Sequence, residues 1–210
     1  MILGMAHLAY SVTDIEQGKK QLESRGFDCV FLEINVGNHL VKKHLLKNYQ
    51  STHDICLLRN SSLNLSIEII NHGFVCESSL GSYQLKDNSI ELVTSNLDKE
   101  KNFWLQVLGF KEKGENILTF SSTIPSWSCT VKLIENPQIG LATLDSKGYP
   151  CIALFTNNLE RDIADAQVAG GYEFTDFFEF YINNRNLNIA MFRTPGGAIC
   201  ELIQPRKQKK

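Results

Sequence analysis

The chain has 210 residues, 43% of them hydrophobic and 21% charged, enough apolar mass for a packed core in one large domain or two small ones. Lysine and arginine number 21 against 23 acidic residues, a net charge of -2, which argues against a general nucleic-acid binder with a basic face. The one basic cluster, at 206–210, is expected to be a solvated tail. No apolar run reaches the ~18 residues of a membrane span, and the N-terminus lacks a signal-peptide pattern, so the expected setting is the cytoplasm with no membrane partner. The six cysteines (29, 56, 76, 129, 151, 200) have no CxxC spacing and are expected to be reduced thiols.

In chain order, residues 7–27 begin with a strand-like run and continue into a polar turn with Thr13 or Asp14 as N-cap candidate. A helix-length stretch with Ile15 and Leu22 at apolar spacing follows, and Gly26-Phe27 ends it. The segment NHLVKKHLLKNY (38–49) is a predicted helix. Its His39 and His44, five residues apart, point away from one another, and Lys42, Lys43 and Lys47 form an expected solvated face. His53 and His72 flank strands and suggest no role. The first closing strand is LNLSIEIIN (63–71), whose alternation places Glu68 and Ile70 on one face and Ile67 and Ile69 on the other.

The same succession recurs at 89–110, with Ser95 or Asn96 as cap and Gly109-Phe110 at the end, closing on CTVKLIEN (129–136). It recurs again at 151–172, with Asn157 or Asn158 and Gly171-Tyr172, closing on AICELIQ (198–204). The aromatic segment YEFTDFFEFYINN (172–184) lies between. Its Phe178 and Phe180 either line a cavity or pack beneath the third helix. Three copies of a βαβββ unit define an α+β fold. The expected division is an N-terminal module at 1–76, a pair of modules at 85–205 and the tail. No nucleotide-binding glycine motif or nucleophile elbow is present.

The stretch MFRTPGGAICELIQP (191–205) is similar to the C-terminal hairpin of the vicinal oxygen chelate superfamily of glyoxalases, bleomycin-resistance proteins and extradiol dioxygenases. Phe192, Arg193, Pro195, Gly197 and Glu201 fit that pattern, and Thr194 stands where an acidic residue is usual. The resemblance implies that two modules curl into a half-open barrel around a divalent metal. Its ligands would be a His early in a module's first strand and a Glu in its last. His7 and Glu68 occupy these positions in module 1, Ser89 and Lys132 in module 2, and Cys151 and Glu201 in module 3.

The leading expectation pairs modules 2 and 3, with a Lys132–Glu201 ion pair in place of the metal. Module 1 could instead pair with its own copy in a homodimer, pair with module 3, or cover an edge. The candidate metal ligands are His7, Glu68 and Glu201, with Glu68 or Glu201 as base. Lys132, Cys151, Phe178, Phe180 and Arg193 are the candidate pocket residues. The implied partner is a small molecule, the implied cofactor manganese, zinc, nickel or iron, or none. The implied activity is that of a metal-assisted lyase, isomerase or dioxygenase, the alternative a binding protein with a degenerate metal site.

Overall fold

The structure, a computed structural model, describes residues 1–86 and 89–206, so Lys207–Lys210 of the basic tail lie outside the described residues. Module 1 comprises β1 (Ile2–Ser11), α1 (Ile15–Glu23), β2 (Asp28–Gly37), β3 (Thr52–Asn60) and β4 (Leu65–Asn71). Two short strands follow, β5 (Cys76–Leu80) and β6 (Tyr83–Lys86). Module 2 then runs through β7 (Ser89–Thr94), α2 (Leu97–Gln106), β8 (Lys111–Gly114), β9 (Ile117–Phe120) and β10 (Cys129–Glu135). After β11 (Ser146–Lys147), module 3 is β12 (Cys151–Thr156), α3 (Leu159–Val168), β13 (Phe178–Ile182), β14 (Arg185–Arg193) and β15 (Ile199–Pro205).

Each helix starts the same way. Asp14, Asn96 and Asn158 accept hydrogen bonds from the backbone N–H groups of Gln17, Lys99 and Arg161, which removes one orphan donor from each first turn. The segment 38–49 forms a 3₁₀ turn at Leu40–Leu45 rather than an α-helix. This changes which side chains share a face, because a 3₁₀ helix repeats every three residues.

In every module the first strand runs parallel to the last, which pairs antiparallel with the strand before it. Modules 1 and 3 join into one eight-stranded sheet, ordered β13-β14-β15-β12-β1-β4-β3-β2, through antiparallel pairing of β1 with β12. The Asn183 N–H donates to Glu33 Oε1 at 2.6 Å, tying the β13–β14 turn to β2 and drawing the two ends of the sheet together into a cup. This is the paired-module α+β arrangement that the resemblance implies, with a different choice of partners. Modules 2 and 3 do not share a sheet, and β1, flanked by β12 and β4, has both of its edges paired within the chain.

Module 2 has its own five-stranded sheet, β6-β7-β10-β9-β8. There β6 pairs antiparallel with β7 and takes the edge that β12 takes beside β1. Module 2 is nevertheless locked to module 3. The buried Glu100 of α2 accepts from Trp104 Nε1 at 2.7 Å and from the Gly196 N–H at 2.8 Å, at the tip of the β14–β15 hairpin. A Cβ at Gly196 would overlap Thr94 Oγ1 and Glu100 Oε2. The buried Tyr83 hydroxyl of β6 adds a bond to the Ile199 carbonyl at 3.1 Å. The main core draws on all three modules, from Leu8, Ile67 and Ile69 through Trp104 and Leu133 to Ile152 and Leu202. A second apolar cluster, which includes Leu45, Leu144, Phe178 and Met191, fills part of the cup's concave side.

Candidate metal centre and cavity

The register of the first strand on the last fixes which residues are equivalent. Ala9 stands opposite Glu68 in module 1, Ala153 opposite Glu201 in module 3, and Glu91 opposite Lys132 in module 2. Two residues earlier on each first strand come His7, Cys151 and Ser89. Across the joint, His7 pairs with Ala153 and Leu8 with Ile152, so a local two-fold relates modules 1 and 3 and sets their last-strand glutamates on either side of one centre. Strand alternation puts Ile67 and Ile69 in the main core and turns Glu68 and Ile70 into the cup. The small Ala9 and Ala153 leave room between them.

His7, Glu68 and Glu201 come together there, one ligand atom from each lying within 4.8 Å of the others. His7 Nε2 is 3.2 Å from Glu68 Oε2 and 3.5 Å from Glu201 Oε2, yet no hydrogen bond of acceptable geometry reaches that buried nitrogen. Metal bonds of about 2.0–2.2 Å set neighbouring ligand atoms roughly 3.0–3.5 Å apart, so these separations fit a divalent ion. One imidazole and two carboxylates form a donor set for a borderline or hard divalent metal, and three protein ligands leave coordination positions open.

Burial opposes charge on His7, but Glu68 and Glu201 outweigh it and raise its pKa to about 10. Burial likewise opposes charge on Glu68, and His7 with Lys42 holds that carboxyl below its ordinary value. Cys151, at the position equivalent to His7, is outside the three-residue cluster. Its thiol donates to the Ile152 carbonyl at 3.5 Å, and burial, reinforced by Glu201, keeps its pKa well above the ordinary value.

The centre opens onto a cavity of about 210 Å³. Cys151, Phe178 and Phe180 line it, while the other two candidate pocket residues lie elsewhere. Lys132 is in the other sheet, half-exposed and 3.9 Å from Glu91, so the expected Lys132–Glu201 pair does not form. Arg193 is buried behind the hairpin, bound to Glu173 Oε2 at 2.5 Å and to the Ala142 and Gly197 carbonyls at 2.6 and 3.1 Å. Thr194 caps the same turn, accepting from the Ala198 N–H at 3.2 Å.

Three further cavity residues depart from the sequence expectations. Lys42, on the 3₁₀ turn, is buried against the cup instead of solvated, and burial lowers its pKa to about 8 against the pull of Glu201 and Glu68. His53 and His72 face each other across β3 and the end of β4, ring centroids 5.3 Å apart. The available signal is the hairpin register, since His53 alternates with Ile55 and Leu57, and His72 with Ile70 and Glu68, on one face.

No model of a known protein family matches the chain, and no curated protein does. Among solved structures, the chain is similar to glyoxalase I from Zea mays at 16% identity and TM-score 0.40, covering 96% of this chain and 67% of that one. It is similar to methylmalonyl-CoA epimerase from Mycobacterium tuberculosis at 12% identity and TM-score 0.49, covering 99% and 91%. A third likeness is to TnmS3, an antibiotic binding protein from Streptomyces sp. CB03234, at 20% identity and TM-score 0.37, covering 55% and 92%. At these identities none of the three lends its chemistry to this chain. No helix among the described residues is long and apolar enough to cross a membrane.

Proposed function

We propose that the cup of modules 1 and 3 binds a small molecule beside a divalent metal held by His7, Glu68 and Glu201, and converts it by lyase-, isomerase- or dioxygenase-type chemistry. The observation that carries this reading is the convergence of those three side chains, from β1, β4 and β15, on one point of the cavity wall. The ion, when bound, supplies Lewis-acid polarisation of a carbonyl, enol or phenolate oxygen. Glu68, held in its ionised form at neutral pH, serves as a ligand at once. Whichever of Glu68 and Glu201 lies nearer the substrate's acidic C–H or O–H takes up its proton. Phe178 and Phe180 pack on the apolar body of the substrate and exclude water from it.

A second reading has its own support. Imidazolium at His7, together with the Lys42 ammonium, offsets the charge of the two carboxylates without an ion, which supports a metal-free site that sequesters a ligand. Metal content of protein purified without chelator, together with thermal shifts on adding manganese, zinc, nickel or iron, separates the two. About one ion per chain, lost in Glu68→Gln and in Glu201→Gln, supports the enzyme. No ion and no shift leaves the binding protein. The mass in solution, measured alongside, tests the expected homodimer.

A further inference from the structure

The cavity contains a second polar group that the metal reading does not use. His53 and His72 are 4% and 2% exposed, both line the cavity, and none of their four ring nitrogens has a hydrogen-bond partner. Lys42, 8% exposed, lines it too, with no ion pair or side-chain hydrogen bond to its ammonium among the described residues. Unpaired buried polar atoms are costly, so the four ring nitrogens, with the Lys42 ammonium in the same cavity, call for a ligand that satisfies them.

Position and charge select the ligand. Glu68, Ile70 and His72 alternate along one face of β4, so the histidine pair lies some four residues, about 13 Å of strand, from the metal centre. Leu45 of the 3₁₀ turn and Leu144, both buried, pack in the apolar cluster near this end. Exposed Arg59 and Arg185 line the cavity away from it. A cationic ammonium beside two neutral imidazoles disfavours a second metal and suits an oxyanion. Lys42 acts electrostatically on His53 and His72 and also on Glu68 and Glu201, so it stands within reach of both groups, and apolar residues such as Phe180, edge-on to His53 at a centroid distance of 6.2 Å, line the cavity beside it.

We infer that Lys42, His53 and His72 form the binding site for the carboxylate of an elongated organic acid, whose apolar body lies along Phe178 and Phe180 and whose other end reaches the His7–Glu68–Glu201 centre. This rests on the reading of the cup as a ligand site and names the class of ligand.

The test is calorimetric binding of 3-phenylpropionate, 3-phenylpropionamide and 3-phenylpropanol to the full chain, with chelator and with manganese. The carboxylate is expected to bind at least tenfold more tightly than either neutral probe in both states. Lys42→Met should reduce that preference below twofold, and Arg59→Gln with Arg185→Gln should leave it. His53→Leu and His72→Leu keep or raise the thermal midpoint, because they remove unpaired buried groups, yet weaken the carboxylate severalfold. The inference is overturned if no probe binds, if the preference survives Lys42→Met, or if only the arginine variants abolish it. A preference that needs manganese and ignores Lys42 overturns it while sparing the metal reading. A Lys42-dependent preference in a protein that takes up no metal does the reverse.

Discussion

Module 2 and the cup of modules 1 and 3 are copies of one βαβββ unit that differ at one edge and three positions. In the cup, the first strands β1 and β12 pair with each other, so two last-strand glutamates converge on His7. In module 2, the four-residue β6 occupies that edge, and the equivalent positions hold Ser89, Glu91 and Lys132. Glu91 is held by Lys86 at 2.8 Å and approached by Lys132 at 3.9 Å. A repeat without a free edge cannot build half of a cup, and its one buried carboxylate at these positions, Glu91, is matched by two half-exposed lysines. Module 2 instead supports the cup from behind through Glu100 and the hairpin.

The largest expected effect tests whether the cup's charges really depend on one another. His7→Ala leaves two buried carboxylates facing each other, and removing one partner of a buried charge cluster costs about 3–5 kcal/mol. Chemical denaturation in chelator should show that loss, with metal uptake abolished in the same variant. Glu91→Gln, on the matching strand of module 2, should leave metal uptake untouched. Equal losses of metal uptake in the two variants would erase the distinction between the modules.

The contact between the regions is next. Gly196→Ala forces a methyl group into Thr94 and Glu100, and overpacking of this kind costs ~1–3 kcal/mol. Thermal unfolding should show the whole loss, since cup and module share one core. Glu100 gives a pH signature at the same place. Burial raises its carboxyl pKa above the ordinary 4.5, against hydrogen bonds from Thr194, Trp104 and Gly196. A carboxyl raised in the folded state holds its proton more tightly there than in the unfolded chain. Its contribution is therefore complete below the ordinary value and is lost as pH rises through the raised one. Glu100→Gln removes the titration but turns an NH2 group toward one of the two N–H donors. The variant should therefore be less stable than the wild type near pH 4, and the gap should narrow as pH rises, by about 1.4 kcal/mol for each tenfold difference in acidity between the folded and unfolded carboxyl. Midpoints that stay parallel across pH 4–8 would exclude the effect.

Much of this contrast can be read in the sequence, and the unreadable part has a physical cause. The three helix caps, the closing strands and the inward face of Glu68 follow from local rules that act within a few residues. Which modules pair does not. It depends on which first-strand edge is free, and β6, the tetrapeptide YQLK, carries little strand signal of its own. The hairpin at 191–205 that carries the resemblance does bind module 2, through Gly196 and Glu100, although its strands pair in the cup. Lys42 escapes a sequence reading because α-helical periodicity does not describe a 3₁₀ turn. His53 and His72 become visible only when β3 and β4 are registered against each other.

The smallest expected effect completes the contrast. Lys132 is equivalent to Glu68 and Glu201 by register, but its side chain is 52% exposed and 3.9 Å from Glu91. An ion pair with one solvated partner is worth about 0–1 kcal/mol, and Lys86, at 2.8 Å, remains on the same carboxylate. Lys132→Met should therefore change the unfolding free energy by less than about 1 kcal/mol at low salt and by less still at about 0.5 M, as screening predicts. Ligand and metal binding should be unchanged. Any loss of either would mean that the face of module 2 communicates with the cup, and that its β6 edge is more than a cover.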